Sequence, residues 1–183
     1  MKRKTFINLL VFLLLLLSTS ANAYDNAYYK FLNSIMPIAA KIASHQQPVL
    51  QDISDNDEEA QDFGYPPVSY GRLWQDNKNY VAYSYVSAWK GAVLCYFETT
   101  DASLSFAGGL KVGSSLKQVE KFFGTKSPSK KVFNLQLDGS SVFFIFNNQG
   151  IVTRICFGDF EVGSGVPSKI LGILKPRIDS MVQ

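Results

Sequence analysis

The chemistry open to this chain is narrowed by how few nucleophilic and metal-binding side chains it has. Its 183 residues include one histidine, His45, and two cysteines, Cys95 and Cys156. A Ser-His-Asp or Cys-His site would have to use His45, and the chain contains no G-x-S-x-G motif. Zinc sites use closely spaced ligands such as C-x-x-C, a spacing that does not occur. The sequence therefore favours a protein without catalytic residues, metal or cofactor.

Paired carboxylates offer another route to catalysis, because two acids flanking a glycosidic bond can hydrolyse it. Glu98 with Asp101, and Asp159 with Glu161, lie at the ends of predicted strands. Acids at strand ends are ordinarily only solvated. A cell-envelope hydrolase that acts on cell-wall sugar or peptide is therefore the alternative function, with His45 and Glu98 as the residues to test.

An acidic stretch between the first predicted helix and the first predicted strands raises the question of calcium binding. Six acids lie there: Asp52, Asp55, Asp57, Glu58, Glu59 and Asp62. An EF-hand loop counted from Asp55 would need glycine at position 60 and glutamate at position 66, which are Ala60 and Pro66. The stretch is therefore predicted to be a solvated linker.

The N-terminus has the pattern of a secretory signal peptide. Basic "MKRK" is followed by apolar "FINLLVFLLLLL", and the segment ends in Ala21-Asn22-Ala23, an A-x-A cleavage signal. The apolar run is too short to span a bilayer comfortably. We expect residues 1–23 to be removed from a soluble bacterial protein that is periplasmic or secreted, with no membrane span after cleavage.

The charge of the mature chain excludes a general attraction to nucleic acid. Removing Lys2, Arg3 and Lys4 lowers the basic residues from 18 to 15, which equals the 15 acidic residues. In an oxidising compartment, Cys95 and Cys156 could form a disulfide. Two buried thiols on separate strands are the alternative.

Alternating and helical patterns predict an α+β fold, an antiparallel β-meander sheet packed against short helices. Residues 24–64 are predicted to form an N-terminal helical region and the acidic linker, and residues 65–183 an α+β domain with a C-terminal helix. The chain has two halves with the same order of predicted elements, each a helix followed by three strands. This similarity is either a distant duplication or a coincidence. The predicted strands are "VSYGRLWQ", "NYVAYSYVSAW", "AVLCYFETT", "SLSFAGGLKVG", "KVFNLQLDG", "SVFFIFNNQG" and "IVTRICFG".

Aromatic residues crowd the first meander, and tyrosine and tryptophan are enriched at protein interfaces. An exposed aromatic face and a set of core side chains are the two interpretations. The candidate binding face consists of Tyr70, Trp74, Tyr80, Tyr83, Tyr85 and Trp89.

A short helix bounded by glycines precedes the second meander. Ser115 and Gln118 have the spacing of a capping box, and Gly124 stands where a left-handed helix end is needed. A helix of about nine residues is not stable alone, so it is expected to dock on the sheet.

This module, with its helix and the following meander, resembles the SmpA/BamE outer-membrane proteins and the β-lactamase inhibitor protein fold. The matching pieces are Val112-Gly113-Ser114-Ser115, Val119, Phe123-Gly124 and Gly150-Ile151-Val152-Thr153-Arg154-Ile155, within about Leu110 to Phe157.

The resemblance implies a fold that mostly binds other proteins and has no catalytic centre. SmpA/BamE proteins are normally lipidated, whereas no cysteine follows this signal peptide. The expected function is an exported, non-enzymatic protein-binding or inhibitor-like module whose partner is another protein of the envelope or secreted space. A secreted accessory or virulence factor is a further alternative.

Overall fold

The computed structural model describes residues 25–54, 69–86, 91–137, 139–159 and 167–182. Within these residues, three helices pack on a seven-stranded antiparallel sheet, which confirms the predicted α+β fold. None of the described helices is both long and apolar enough to cross a membrane. The predicted signal peptide lies outside the described residues.

The elements follow one another as two meanders, each preceded by a helix. The first group is α1 (residues 25–45), β1 (Leu50–Ser54), β2 (Ser69–Gln75), β3 (Asn79–Val86) and β4 (Gly91–Thr99). The second group is α2 (Leu116–Phe123), β5 (Val132–Leu137), β6 (Ser140–Phe146) and β7 (Val152–Asp159), followed by α3 (Ser168–Val182).

The strand order is β1-β2-β3-β4-β7-β6-β5, so the last strands of the two meanders pair at the centre of the sheet. Glu98 of β4 lies opposite Cys156 of β7 in this antiparallel pair. A two-fold axis perpendicular to the sheet, between β4 and β7, would therefore superpose β2, β3 and β4 on β5, β6 and β7. Side chains on one face of the sheet would stay on that face. This is the arrangement that a duplicated unit would produce.

The two faces of the sheet are covered by different helices. On the first, called the α1 face, α1 and α2 bury the larger apolar cluster. Buried side chains of α1 recur every three or four residues, as a helix packed along one stripe requires: Tyr28, Phe31, Ile35 and Ala39. On the second, called the α3 face, Ile170 and Leu174 of α3 bury a smaller cluster with β2, β3, β4, β6 and β7.

The glycine-bounded motif forms the predicted helix α2. The Ser115 hydroxyl accepts from the Gln118 backbone N–H, and the Gln118 side chain accepts from the Ser115 N–H, so the capping box is complete. Gly124 ends the helix with φ of 68°, a conformation that favours glycine. Val119 and Phe123 are buried, so the helix is held by packing on the sheet.

Several sequence predictions about the backbone were wrong. The predicted strand "SLSFAGGLKVG" contains instead the short 3₁₀ helix Ala107–Gly109. The acidic stretch begins inside strand β1, where Asp52 is buried and forms an ion pair with Lys169. The remaining acids of the predicted linker lie outside the described residues.

Candidate functional site

A groove on the α1 face lies between the C-terminal half of α1 and strands β2 to β4. Its volume is about 410 Å³. The lining residues come from the helix above and the sheet below: Ala40, Ala43, Ser44, Arg72, Trp74, Tyr83, Ser84 and Ala92. The groove is the candidate functional site because it brings part of the predicted aromatic face into a concave surface.

The floor of the groove is an aromatic pair on neighbouring strands. Trp74 and Tyr83 meet edge to face, with ring centroids 5.9 Å apart. The Trp74 indole N–H donates to the Gln46 carbonyl at 3.2 Å, which fixes a ring that is 7% exposed. Tyr83 is half-buried, and burial raises the pKa of its phenol, so the floor is uncharged at neutral pH. The floor therefore offers a rigid, largely apolar surface.

Small side chains create the space above this floor. Ala40, Ala43 and Ser44 recur on one stripe of α1, and Ala92 lies across from them on β4. Large residues at these positions would fill the groove. Its shape therefore depends on a short run of small residues in a helix that elsewhere buries aromatic and branched side chains.

The residue that follows α1, Gln46, is hydrogen-bonded to the β2–β3 turn. The Asp76 Oδ1 accepts from the Lys78 and Asn79 backbone N–H groups at 2.7 Å, and its Oδ2 accepts from Gln46 Nε2 at 3.3 Å. Burial acts to raise the pKa of Asp76, but hydrogen bonds from Asn79, Lys78 and Gln46 outweigh it and lower the pKa. A charged carboxylate thus orders the turn and the helix end together.

The predicted aromatic face is only partly assembled. Trp74 and Tyr83 share the groove, but Tyr80 lies on the α3 face, where the Arg177 guanidinium stacks 3.7 Å from its ring centroid. The side chains of Tyr70 and Tyr85, and all of Trp89, lie outside the described residues. Alternation along β3 therefore places Tyr80 and Tyr83 on opposite faces, as strand geometry requires.

A buried ionic cluster on the α3 face was not identified from the sequence. The Glu98 carboxylate is 2% exposed and accepts from Arg177 Nη2, from Arg177 Nε at 2.9 Å and from the Tyr96 hydroxyl. Arg154 Nε lies 3.6 Å from the same carboxylate. The sequence contains two indications of this cluster. They are a single acid in the apolar strand "AVLCYFETT" and a single arginine on the apolar stripe of α3.

The electrostatics of this cluster favour a structural role. Hydrogen bonding to Glu98 raises the pKa of Arg177, so the guanidinium stays protonated. Burial raises the pKa of Tyr96 and that of the Cys156 thiol, with the Glu98 charge adding to both, so both groups stay neutral. A carboxylate bound in this way attaches α3 to the sheet and is not placed to reach a substrate.

Among the described residues, the other carboxylates considered for sugar hydrolysis do not form a pair. Asp101 lies in the turn after β4, where it accepts from the Ser103 backbone N–H and pairs with Lys78 at 3.4 Å. The side chain of Asp159, and all of Glu161, lie outside the described residues. His45 is exposed at the end of α1, with its Nδ1 2.8 Å from the Lys41 carbonyl oxygen.

Cys95 and Cys156 are buried thiols that are not joined in a disulfide. Cys156 lies opposite Glu98, three residues along β4 from Cys95. Three strand residues span roughly 10 Å, whereas the Cα atoms of a disulfide lie within about 7 Å. The structure therefore has the second of the two predicted alternatives. In the described part of the chain, no group of three or more metal-ligating residues comes together.

No family model, curated protein or solved structure matches this chain. The resemblance to the SmpA/BamE and β-lactamase inhibitor proteins therefore stays a prediction.

Proposed function

We propose that this protein is an exported, non-enzymatic protein-binding module, and that the groove over Trp74 and Tyr83 receives an apolar side chain of the partner. The observation that carries the proposal is the aromatic floor beneath a gap left by alanines on α1 and β4. Export rests on the signal-peptide pattern of the N-terminus.

The size and lining of the groove support a protein partner. About 410 Å³ is enough for one large side chain with part of its backbone. Among the described residues that line the groove, the polar side chains on this face are those of Ser44, Arg72, Tyr83 and Trp74, and none of the lining residues is an acid, a histidine or a cysteine. A small polar substrate would need more converging polar groups to fix its orientation. An aromatic or branched anchor from a protein surface fits this lining better.

Site-specific photocrosslinking tests the proposal. A photoreactive phenylalanine analogue at Ala40, on the groove wall, is expected to crosslink a defined partner in cells that make the protein. Asn33 is exposed on the same helix but does not line the groove, so the same analogue at Asn33 is the matched control. A partner captured equally from both positions would contradict the groove as the binding site.

A groove-filling variant then tests the partner found in this way. Ala40→Trp places a large ring in the groove and is expected to weaken binding of the purified partner by at least about tenfold. Asn33→Trp adds the same ring elsewhere on α1 and is expected to leave binding unchanged. Binding of Ala40→Trp as tight as that of the wild type would overturn the proposal.

A further inference from the structure

The sheet has an open edge at β5, far from the groove. β5 is the last strand in the order, and among the described residues only β6 pairs with it. The Lys131 carbonyl accepts from the Phe146 N–H, and Phe133 lies opposite Phe144. Backbone groups of odd-numbered residues therefore point toward β6, and those of Val132, Asn134 and Gln136 point outward.

This edge lacks the features that usually prevent edge strands from pairing. β5 reads VFNLQL, with no charged residue and no proline, and its pairing with β6 is without a bulge. Phe133 and Leu135 are buried on the α1 face, while Asn134 and Gln136 are exposed on the other face. The strand is thus regular in its pairing, uncharged and supported by the core from one side.

We propose that β5 pairs antiparallel with β5 of a second copy of this chain, around a two-fold axis at Leu135. This inference is independent of the groove and of its partner. In this register Asn134 lies beside Gln136 of the second copy, and the reciprocal pair completes about four main-chain hydrogen bonds. The two side-chain amides can also bond each other, because each carries a donor and an acceptor.

Two further observations favour this register and this occupant. The Ser127 hydroxyl lies 2.5 Å from the Ser129 carbonyl oxygen and 3.2 Å from that of Val132, so the chain before β5 sits against the outward acceptor at the start of the strand. Pairing is thereby directed to the Asn134–Gln136 segment. Lys130 and Lys131 precede the strand, and antiparallel pairing places the two lysine pairs at opposite ends, where their charges are far apart.

Sedimentation velocity over a dilution series of the purified protein tests the proposal. The wild type is expected to change reversibly from dimer to monomer on dilution. Asn134→Lys/Gln136→Lys places like charges opposite each other and is expected to raise the dissociation constant by at least about tenfold. Asn134→Glu/Gln136→Glu is expected to do the same, and an equimolar mixture of the two variants is expected to form a heterodimer.

A register-specific variant separates this edge from any other contact. Asn134→Lys/Gln136→Glu creates two complementary pairs only when the axis lies at Leu135, so this variant is expected to stay dimeric. The changed side chains are exposed, and equal thermal unfolding of all variants, at a concentration where the wild type is monomeric, checks that the fold is retained. A wild type that is monomeric throughout, or a dimer unaffected by the two lysines, would overturn the proposal. If the edge binds only an extended segment of another protein, the wild type would be monomeric at all concentrations.

Discussion

The carboxylate of Glu98 is 2% exposed, and Arg177 alone supplies two of its hydrogen bonds. A buried ion pair adds little net stability when it is intact, because desolvation offsets the attraction between the charges. Removing one partner is costly, since the other charge stays buried without compensation. The importance of this pair is therefore that it fixes where α3 docks on the sheet.

Replacing the arginine is expected to show this asymmetry. Arg177→Met should lower the free energy of unfolding by about 3 kcal/mol, measured by urea denaturation. Arg154→Met is the control, because Arg154 is about as exposed as Arg177 (33% against 29%) but its Nε lies 3.6 Å from Glu98, beyond hydrogen-bond distance, and its loss should cost less than about 1 kcal/mol. The double variant Glu98→Gln/Arg177→Met should recover part of the loss. Equal losses for the two arginines would contradict the assignment.

The turn at Asp76 gives a pH-dependent prediction. Asp76→Ala removes hydrogen bonds to the backbone of Lys78 and Asn79 and should cost about 1–2 kcal/mol at neutral pH. Because the folded pKa of Asp76 is lowered, its contribution is complete above the unfolded value of about 3.8 and is lost as the pH falls through the folded pKa.

The difference in stability between the wild type and Asp76→Ala should therefore shrink below about pH 3.8. Unfolding in urea at a series of pH values measures it. Asp76→Asn keeps one acceptor oxygen and should retain part of the stability without this pH dependence. A difference that stays constant down to low pH would show that the carboxylate charge is not what orders the turn.

At the scale of single elements, two glycines in helical segments should respond oppositely to alanine. Gly124 has φ of 68° at the end of α2, so Gly124→Ala should cost about 1 kcal/mol. Gly172 lies inside α3 and is exposed, and no described atom outside its own stretch of helix lies within 4 Å of where an alanine Cβ would stand. Gly172→Ala should therefore gain about 0.5–1 kcal/mol. Thermal unfolding of the two variants, measured side by side, checks the sign of each effect.

The central strand pair makes a prediction about the thiols. Protein purified from its natural compartment without reductant should show two alkylated cysteines by intact mass after denaturation. The native protein should react slowly, because both thiols are buried and burial raises the pKa of Cys156. A mass with no added groups after denaturation would mean that Cys95 and Cys156 pair and that β4 and β7 have a different register.

Elements with local signals could be predicted from the sequence, and those that depend on distant contacts could not. The capping box gave α2, and alternation gave six of the seven strands of the described sheet. Strand β1 was missed because its pairing with β2 and the ion pair of Asp52 with Lys169 link residues far apart in the chain. The same reason hid the pairing of β4 with β7 and the contact of Glu98 with Arg177.

Only part of the candidate site could be predicted, again because the rest depends on contacts between residues far apart in the chain. Aromatic composition indicated the first meander, but the predicted binding face grouped Tyr80 with Tyr83, which lie on opposite faces of the sheet. The groove itself also needs Ala40 and Ala43, which precede Trp74 on the groove floor by more than thirty residues of sequence. A sequence pattern cannot show which small residues of a helix will lie over which strand.

At the scale of the whole molecule, each of the two helix-plus-meander units buries side chains of the other. Phe31 of α1 contacts Phe106, Phe123 and Phe144, which all follow β4 in the chain. Conversely, α3 follows the second meander but packs on the first. Its Ile170 lies so close to β2 that a Cβ at Gly71 would be 2.6 Å from the isoleucine Cδ1. Neither unit has a complete core without the other.

Because each unit completes the core of the other, we predict a single cooperative unfolding transition. Gly124→Ala can test it. Both tryptophans, Trp74 and Trp89, precede residue 100, whereas Gly124 ends α2 in the second unit. In a two-state molecule, the tryptophan fluorescence midpoint should fall by the same amount as the circular dichroism midpoint. Independent units would leave the fluorescence midpoint unchanged while the second unit alone was destabilised. Asp76→Ala is the reciprocal test, since it should lower the midpoint of amide signals from β6 by as much as that of the tryptophans.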